Sequence, residues 1–135
     1  MEQVRTVLAD DHAVVRAGLA NALRELPNIE IVGEVGTKKL FENDRVIVWE
    51  MRLEPGEKEL IHEHTRDYLM VQISGDRVAA DFEPGSKGTW ADFAGQRLEG
   101  DVANGNVLFA QKGGVESAVN VGDEEFYEII VELKD

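Results

Sequence analysis

The rhythm of hydrophobic and polar positions changes once along the chain. Near the start, a short β-type run from Val4 to Ala9 ends in Asp10-Asp11-His12. After it, Val15, Leu19, Ala22, Leu23 and Leu26 recur at helical spacing and make one apolar stripe. Pro27-Asn28 stops that helix, and a second β-type run from Ile29 is punctuated by Gly33 and Gly36. The spacing predicts a β-α-β unit, a motif that is normally parallel and right-handed. Alternation then takes over. Ile47, Trp49, Met51 and Leu53 share one face of a predicted strand. Pro55-Gly56 turns the chain, and an extended stretch over 59–74 ends at Gly75-Asp76. Another strand over 77–82 is closed by Pro84-Gly85, and a Gly-rich region with Trp90 and Phe93 follows. Asn104-Gly105 is a hairpin signal, with strands predicted over 107–110, 115–121 and 126–133. No helix is expected beyond residue 36. Many short strands with regular turns predict a mainly β sandwich or barrel.

Composition narrows the function. A chain of 135 residues suits one ordinary domain with a small appendage. The formal charge of −13 argues against nucleic acid and anionic membrane surfaces, which need a basic footprint. Without cysteine there are no disulfides, thiolate metal sites or thiol nucleophiles. The start lacks the basic and apolar regions of a signal peptide, and no apolar run approaches a membrane span. Cytoplasm is the expected compartment.

The sharpest chemical feature is His62-Glu63-His64. Alternate strand residues point to the same side, so both imidazoles can face a barrel interior and share one metal ion. A bare pair of this kind also occurs as two surface histidines.

The surroundings decide between these. Gly56, five residues, His62-Glu63-His64, three residues, Tyr68, six residues and Gly75 form one frame. Gly105, five residues, Gln111-Lys112-Gly113, two residues, Glu116, three residues and Asn120 form another. Residues 37–135 thereby resemble a single-domain cupin of the conserved-barrel type, and the glycine, histidine-pair and asparagine positions fit without insertion. The resemblance implies a jelly-roll β-barrel whose pocket holds a metal. In the family, a Glu of the first motif and a His of the second complete the metal site. Tyr68 and Glu116 stand at those positions, and Gln111 stands at the family's Pro. His62, His64 and Glu116 would then be a two-histidine, one-carboxylate set suited to a divalent metal such as Fe, Mn, Ni, Cu or Zn. Tyr68 shares the parity of His64, and Met70 and Gln72 continue it, so all three are expected in the pocket. Tyr68 can ligate, donate a hydrogen bond or pack. Trp49 and Trp90 are expected in the core or pocket wall, and Arg66 shares the inward parity near the strand's open end. Glu63 and Asp67 have the opposite parity and are expected outside.

Residues 1–36 resemble the opening of a response-regulator receiver domain, through the run from Val4 to Asp11, the segment Val15-Arg16-Ala17-Gly18-Leu19 and the strand-like Ile29-Glu30-Ile31-Val32. In that family the acidic pair at Asp10 and Asp11 binds Mg²⁺ beside a phosphoacceptor aspartate. Here the third strand is missing, no room remains for a second helix, and phosphorylation is not expected. A lone β-α-β unit leaves one sheet face uncovered. It therefore packs on the barrel or on a second subunit, and a homodimer is expected. The leading expectation is a metal-dependent cupin enzyme acting on a small organic molecule, with dioxygenase- or isomerase-type chemistry and no catalytic residue assigned. The alternatives are a non-catalytic small-molecule sensor or binding module, or a signalling adaptor.

Overall fold

In the computed structural model of the protein, residues 35–135 are described, together with the backbone of two short strands, β1 (Val4–Thr6) and β2 (Ile29–Ile31). These two pair in parallel, with Val4 opposite Ile29 and Thr6 opposite Ile31. The helix expected between them, with Asp10, Asp11 and His12, lies outside the described residues, as does the surface through which this unit was expected to dimerise.

Beyond residue 37 the chain is almost entirely β. The strands are β3 (Lys38–Glu42), β4 (Val46–Leu53), β5 (His62–Glu63), β6 (Tyr68–Ser74), β7 (Arg77–Phe82), β8 (Arg97–Asp101), β9 (Val107–Ala110), β10 (Val115–Asn120) and β11 (Phe126–Leu133). One antiparallel sheet runs β3-β4-β11-β6-β9 and the other β5-β10-β7-β8. The first places β11 at its centre, with Ile130 opposite Trp49 on one side and Met70 on the other. Alternation sets the faces. Ile47, Trp49, Met51 and Leu53 of β4 are buried, as expected, and pack with Tyr68, Phe126 and Ile130 in one core. Burying each such side chain contributes roughly 1.5–3 kcal/mol.

Two devices lock the ends. The four glycines of the two motif frames, Gly56, Gly75, Gly105 and Gly113, all adopt positive φ, at 84°, 119°, 85° and 115°. Only glycine takes that conformation without strain, so the frames mark turns. Asn120 is buried and ties three segments together. Its amide donates to the Leu53 and Glu124 carbonyls, both at 2.8 Å, and its Oδ1 accepts the Gly122 N–H at 2.9 Å.

Three features depart from the sequence expectation. A short 3₁₀ helix spans Gly88–Phe93, where no helix was expected. The predicted extended stretch over 59–74 is interrupted between β5 and β6. Strands β3 and β8 have no counterpart in the expectation. All five β3 residues are exposed and four of the five in β8 are, so neither carries the buried alternation that reveals a strand.

Candidate metal and ligand site

The two motifs meet through the backbone. His62 on β5 pairs with Glu116 on β10. The His64 N–H donates to the Gly114 carbonyl, and the Gly113 N–H donates to the His64 carbonyl, both at 2.8 Å. Segments some fifty residues apart in sequence therefore present their side chains at one place. His64 Nε2 lies 3.0 Å from His62 Nε2 and 3.0 Å from Glu116 Oε1, and His62 Nε2 lies 4.0 Å from that oxygen. One ligand atom from each residue falls within 4.8 Å of the others.

The protonation pattern suits a ligand cluster. His62 Nδ1 lies 3.0 Å from the Leu60 carbonyl, a contact that only a protonated Nδ1 can satisfy. In the neutral ring this leaves the Nε2 lone pair facing His64 and Glu116. Glu59 Oε2 stands 3.5 Å from the same Nδ1. His64 is almost fully buried, and its Nδ1 has no hydrogen-bond partner among the described residues. Its ring is held instead by Tyr68, stacked at 3.9 Å and 11°. Burial works to raise the Glu116 carboxyl, but the His64 hydrogen bond and the two imidazoles outweigh it and hold the group below its ordinary value. It is a carboxylate at neutral pH.

These three residues fit a divalent metal. Ligand atoms about 2.1 Å from a common ion sit about 3.0 Å apart at right angles, which matches the two short separations. Two imidazoles and one carboxylate suit first-row metals, and three protein ligands leave coordination positions open.

Beside this cluster lies a cavity of about 230 Å³. His64, Tyr68, Met70, Gln72 and Glu116 line it, as does Trp90 from the 3₁₀ helix. The Tyr68 hydroxyl accepts the Trp90 indole N–H at 2.8 Å. Burial above all, and then the charge of Glu116, push the Tyr68 phenol far above its ordinary range, so it stays neutral. A neutral phenol stacked on His64 acts as a wall and hydrogen-bonding group.

Two residues of inward parity stand apart from the cavity. Trp49 does not line the cavity; it is buried in the core, and its indole donates to Glu132 Oε1 at 2.7 Å. Arg66 is half-buried and does not line the cavity either. Glu63 is exposed, as its parity implies, while half-buried Asp67 accepts the Lys112 N–H at 2.8 Å.

One group was missed from sequence. Glu128 lines the cavity and is only 5% exposed. Burial, and then the charge of Glu116, push its carboxyl up to about 8, so it is mostly protonated at neutral pH. Nothing in its sequence neighbourhood flags it, because a glutamate on an alternating strand reads as a solvent-facing position.

Among solved structures, a cupin domain from Bordetella pertussis superimposes with a TM-score of 0.61 at 21% identity, over 73% of this chain and 91% of that one. The fold is a cupin. An RmlC-like cupin with a double-stranded β-helix from Methanocaldococcus jannaschii matches at 0.54 and 12% identity, over 76% and 86% of the two chains. A cupin 2 conserved-barrel protein from Salinispora arenicola matches at 0.52 and 20%, over 73% of each. At these identities the likeness concerns the cupin architecture alone. No protein-family model and no curated protein matches the sequence. Among the described residues no helix is long and apolar enough to cross a membrane.

Proposed function

We propose that this small cupin holds a divalent metal through His62, His64 and Glu116 and acts on a small organic molecule in the adjoining cavity. The observation that carries the reading is the convergence of two imidazole nitrogens and one carboxylate oxygen within 4.8 Å at the cavity. A bound metal supplies Lewis-acid or redox chemistry, of isomerase or dioxygenase type, at the positions these residues leave open. The chain's own groups have separate tasks. The Leu60 carbonyl fixes the His62 tautomer. Tyr68 holds the His64 ring in place and keeps a neutral phenol beside the site. Met51, Met70, Leu108 and Phe126 give the cavity apolar walls that exclude water from a bound molecule. The same proposal takes residues 37–135 as the barrel domain, residues 1–36 as a receiver-like unit that is not phosphorylated, the cytoplasm as the compartment and a homodimer as the assembly.

Elemental analysis of untagged protein tests it, alongside the His62→Ala/His64→Ala double variant. Near-stoichiometric Fe, Mn, Ni, Cu or Zn in the wild type and none in the variant is the expected result. A wild type that arrives empty and also fails to take up added metal would overturn the metal reading. The cavity would then be that of a non-catalytic binding or sensor module.

A further inference from the structure

Four acidic residues, Glu99, Asp101, Glu116 and Glu128, border the cavity, and no lysine or arginine does among the described residues. Three of the four are answered. Glu116 lies 3.0 Å from His64 Nε2. Asp101 accepts from Arg77 Nη1 at 2.7 Å. Glu99 accepts from Arg77 at 3.4 Å and has Arg97 at 3.8 Å. Glu128 receives no hydrogen bond or ion pair from any described residue, although it is 5% exposed. Its cross-strand neighbours are Met51 on β4 and Gln72 on β6. Gln72 makes no hydrogen bond to it; the Gln72 Oε1 instead accepts the Ala103 N–H at 3.2 Å and the Asn106 amide at 3.1 Å. The Glu128 oxygens are open to the cavity rather than sealed from it, and a carboxyl on a residue this buried, with no protein partner, is costly to keep.

The remaining walls indicate what answers Glu128. Tyr68, Phe82, Trp90 and Phe126 line the same space, and aromatic faces attract cations. An anionic ligand would meet Glu116 and Glu128, and no lysine or arginine lines the cavity among the described residues to attract it. We propose that the ligand of this cavity is a small organic amine, bound as its ammonium against Glu128, which releases its proton to solvent on binding, with the apolar body against Met51, Met70, Leu108 and Phe126. This deepens the reading of the cavity as a ligand site and does not depend on the metal. A dication held by His62, His64 and Glu116 engages Glu116 and leaves Glu128 available.

Calorimetric titration of the full chain with benzylamine, benzoate and benzyl alcohol tests the proposal, with n-butylamine as a second, slimmer amine. The titrations are run on metal-stripped and metal-loaded protein. The expected result is saturable amine binding about tenfold or more tighter than that of the carboxylate or the alcohol, because hydrogen bonds between charged groups are the stronger class. In Glu128→Gln, amine affinity falls by a similar factor while alcohol affinity is unchanged. Benzoate or benzyl alcohol binding as tightly as benzylamine, an undiminished amine affinity in Glu128→Gln, or no saturable binding of either amine would each overturn it. Metal content is read separately by elemental analysis, so failure of the amine reading is distinguishable from failure of the metal reading.

Discussion

Replacing Glu128 by Gln removes one ionisable group from the interior while keeping its shape, and the consequence depends on pH. In the folded protein the carboxyl titrates at about 8, against an ordinary 4.5, because it is buried and faces the charge of Glu116. Between those two values the folded state keeps a proton that the unfolded chain has released. Stability therefore falls by about 1.4 kcal/mol for each pH unit across that window. The contribution is fully present below the unfolded value and is lost as pH rises through 8. The whole window corresponds to roughly 5 kcal/mol, and water drawn toward the ionised group reduces this. Glu116 has the opposite sign. Its lowered value makes a contribution that is present above the ordinary carboxylate range and lost on acidification, but it is common to both proteins and cancels in their difference. Urea denaturation followed by tryptophan fluorescence, in chelator at pH 5 to 9, measures that difference. Glu128→Gln should stay close to the wild type at pH 5 and become more stable by several kcal/mol at pH 9. A gap between the two proteins that stays constant across this range would refute the burial argument.

Other substitutions probe the rest of the barrel. Trp49→Phe deletes the indole N–H that answers Glu132, a residue only 3% exposed, and should cost about 1–3 kcal/mol in the same denaturation assay. Asn120→Ala removes the amide that ties Leu53, Gly122 and Glu124 together and should lower stability by about 2–4 kcal/mol without changing metal content. For the proposed homodimer, sedimentation equilibrium should give twice the chain mass. The apolar row Val107, Leu108 and Phe109, exposed on edge strand β9, favours self-association, and Phe109→Glu should shift the distribution toward monomer.

Some of this was legible from the sequence for identifiable reasons. β4 announces itself because its four inward residues are all large and apolar, so pattern and burial agree. The histidine pair and Glu116 could be placed together only through the resemblance to the two cupin motifs, whose glycines do adopt positive φ. Edge strands β3 and β8 gave no such signal, since nothing on them is buried. Trp49 illustrates a different limit. Its inward parity was right, but parity states only the face of the sheet. Which layer of the barrel a side chain occupies depends on the register between β4 and β11, which sets Trp49 against Ile130 and brings its indole to Glu132.

That register also explains why the sequence hid Glu128. On β11, alternation alone would turn Tyr127, Ile129, Val131 and Leu133 inward and leave both glutamates in water. The pairing does the reverse: Phe126, Glu128, Ile130 and Glu132 are the buried set. A one-residue slip would move the apolar residues inside, so the observed register carries an electrostatic cost that the neighbouring strands must outweigh. At Glu132 the cost is offset locally by the Trp49 indole. At Glu128 no described residue supplies an equivalent, and the group faces the cavity beside the cluster of His62, His64 and Glu116. Of two glutamates forced inward by the same strand, one has become part of the packing. The other is left open toward the space where a ligand would sit, the arrangement expected when a binding group is retained at the expense of stability.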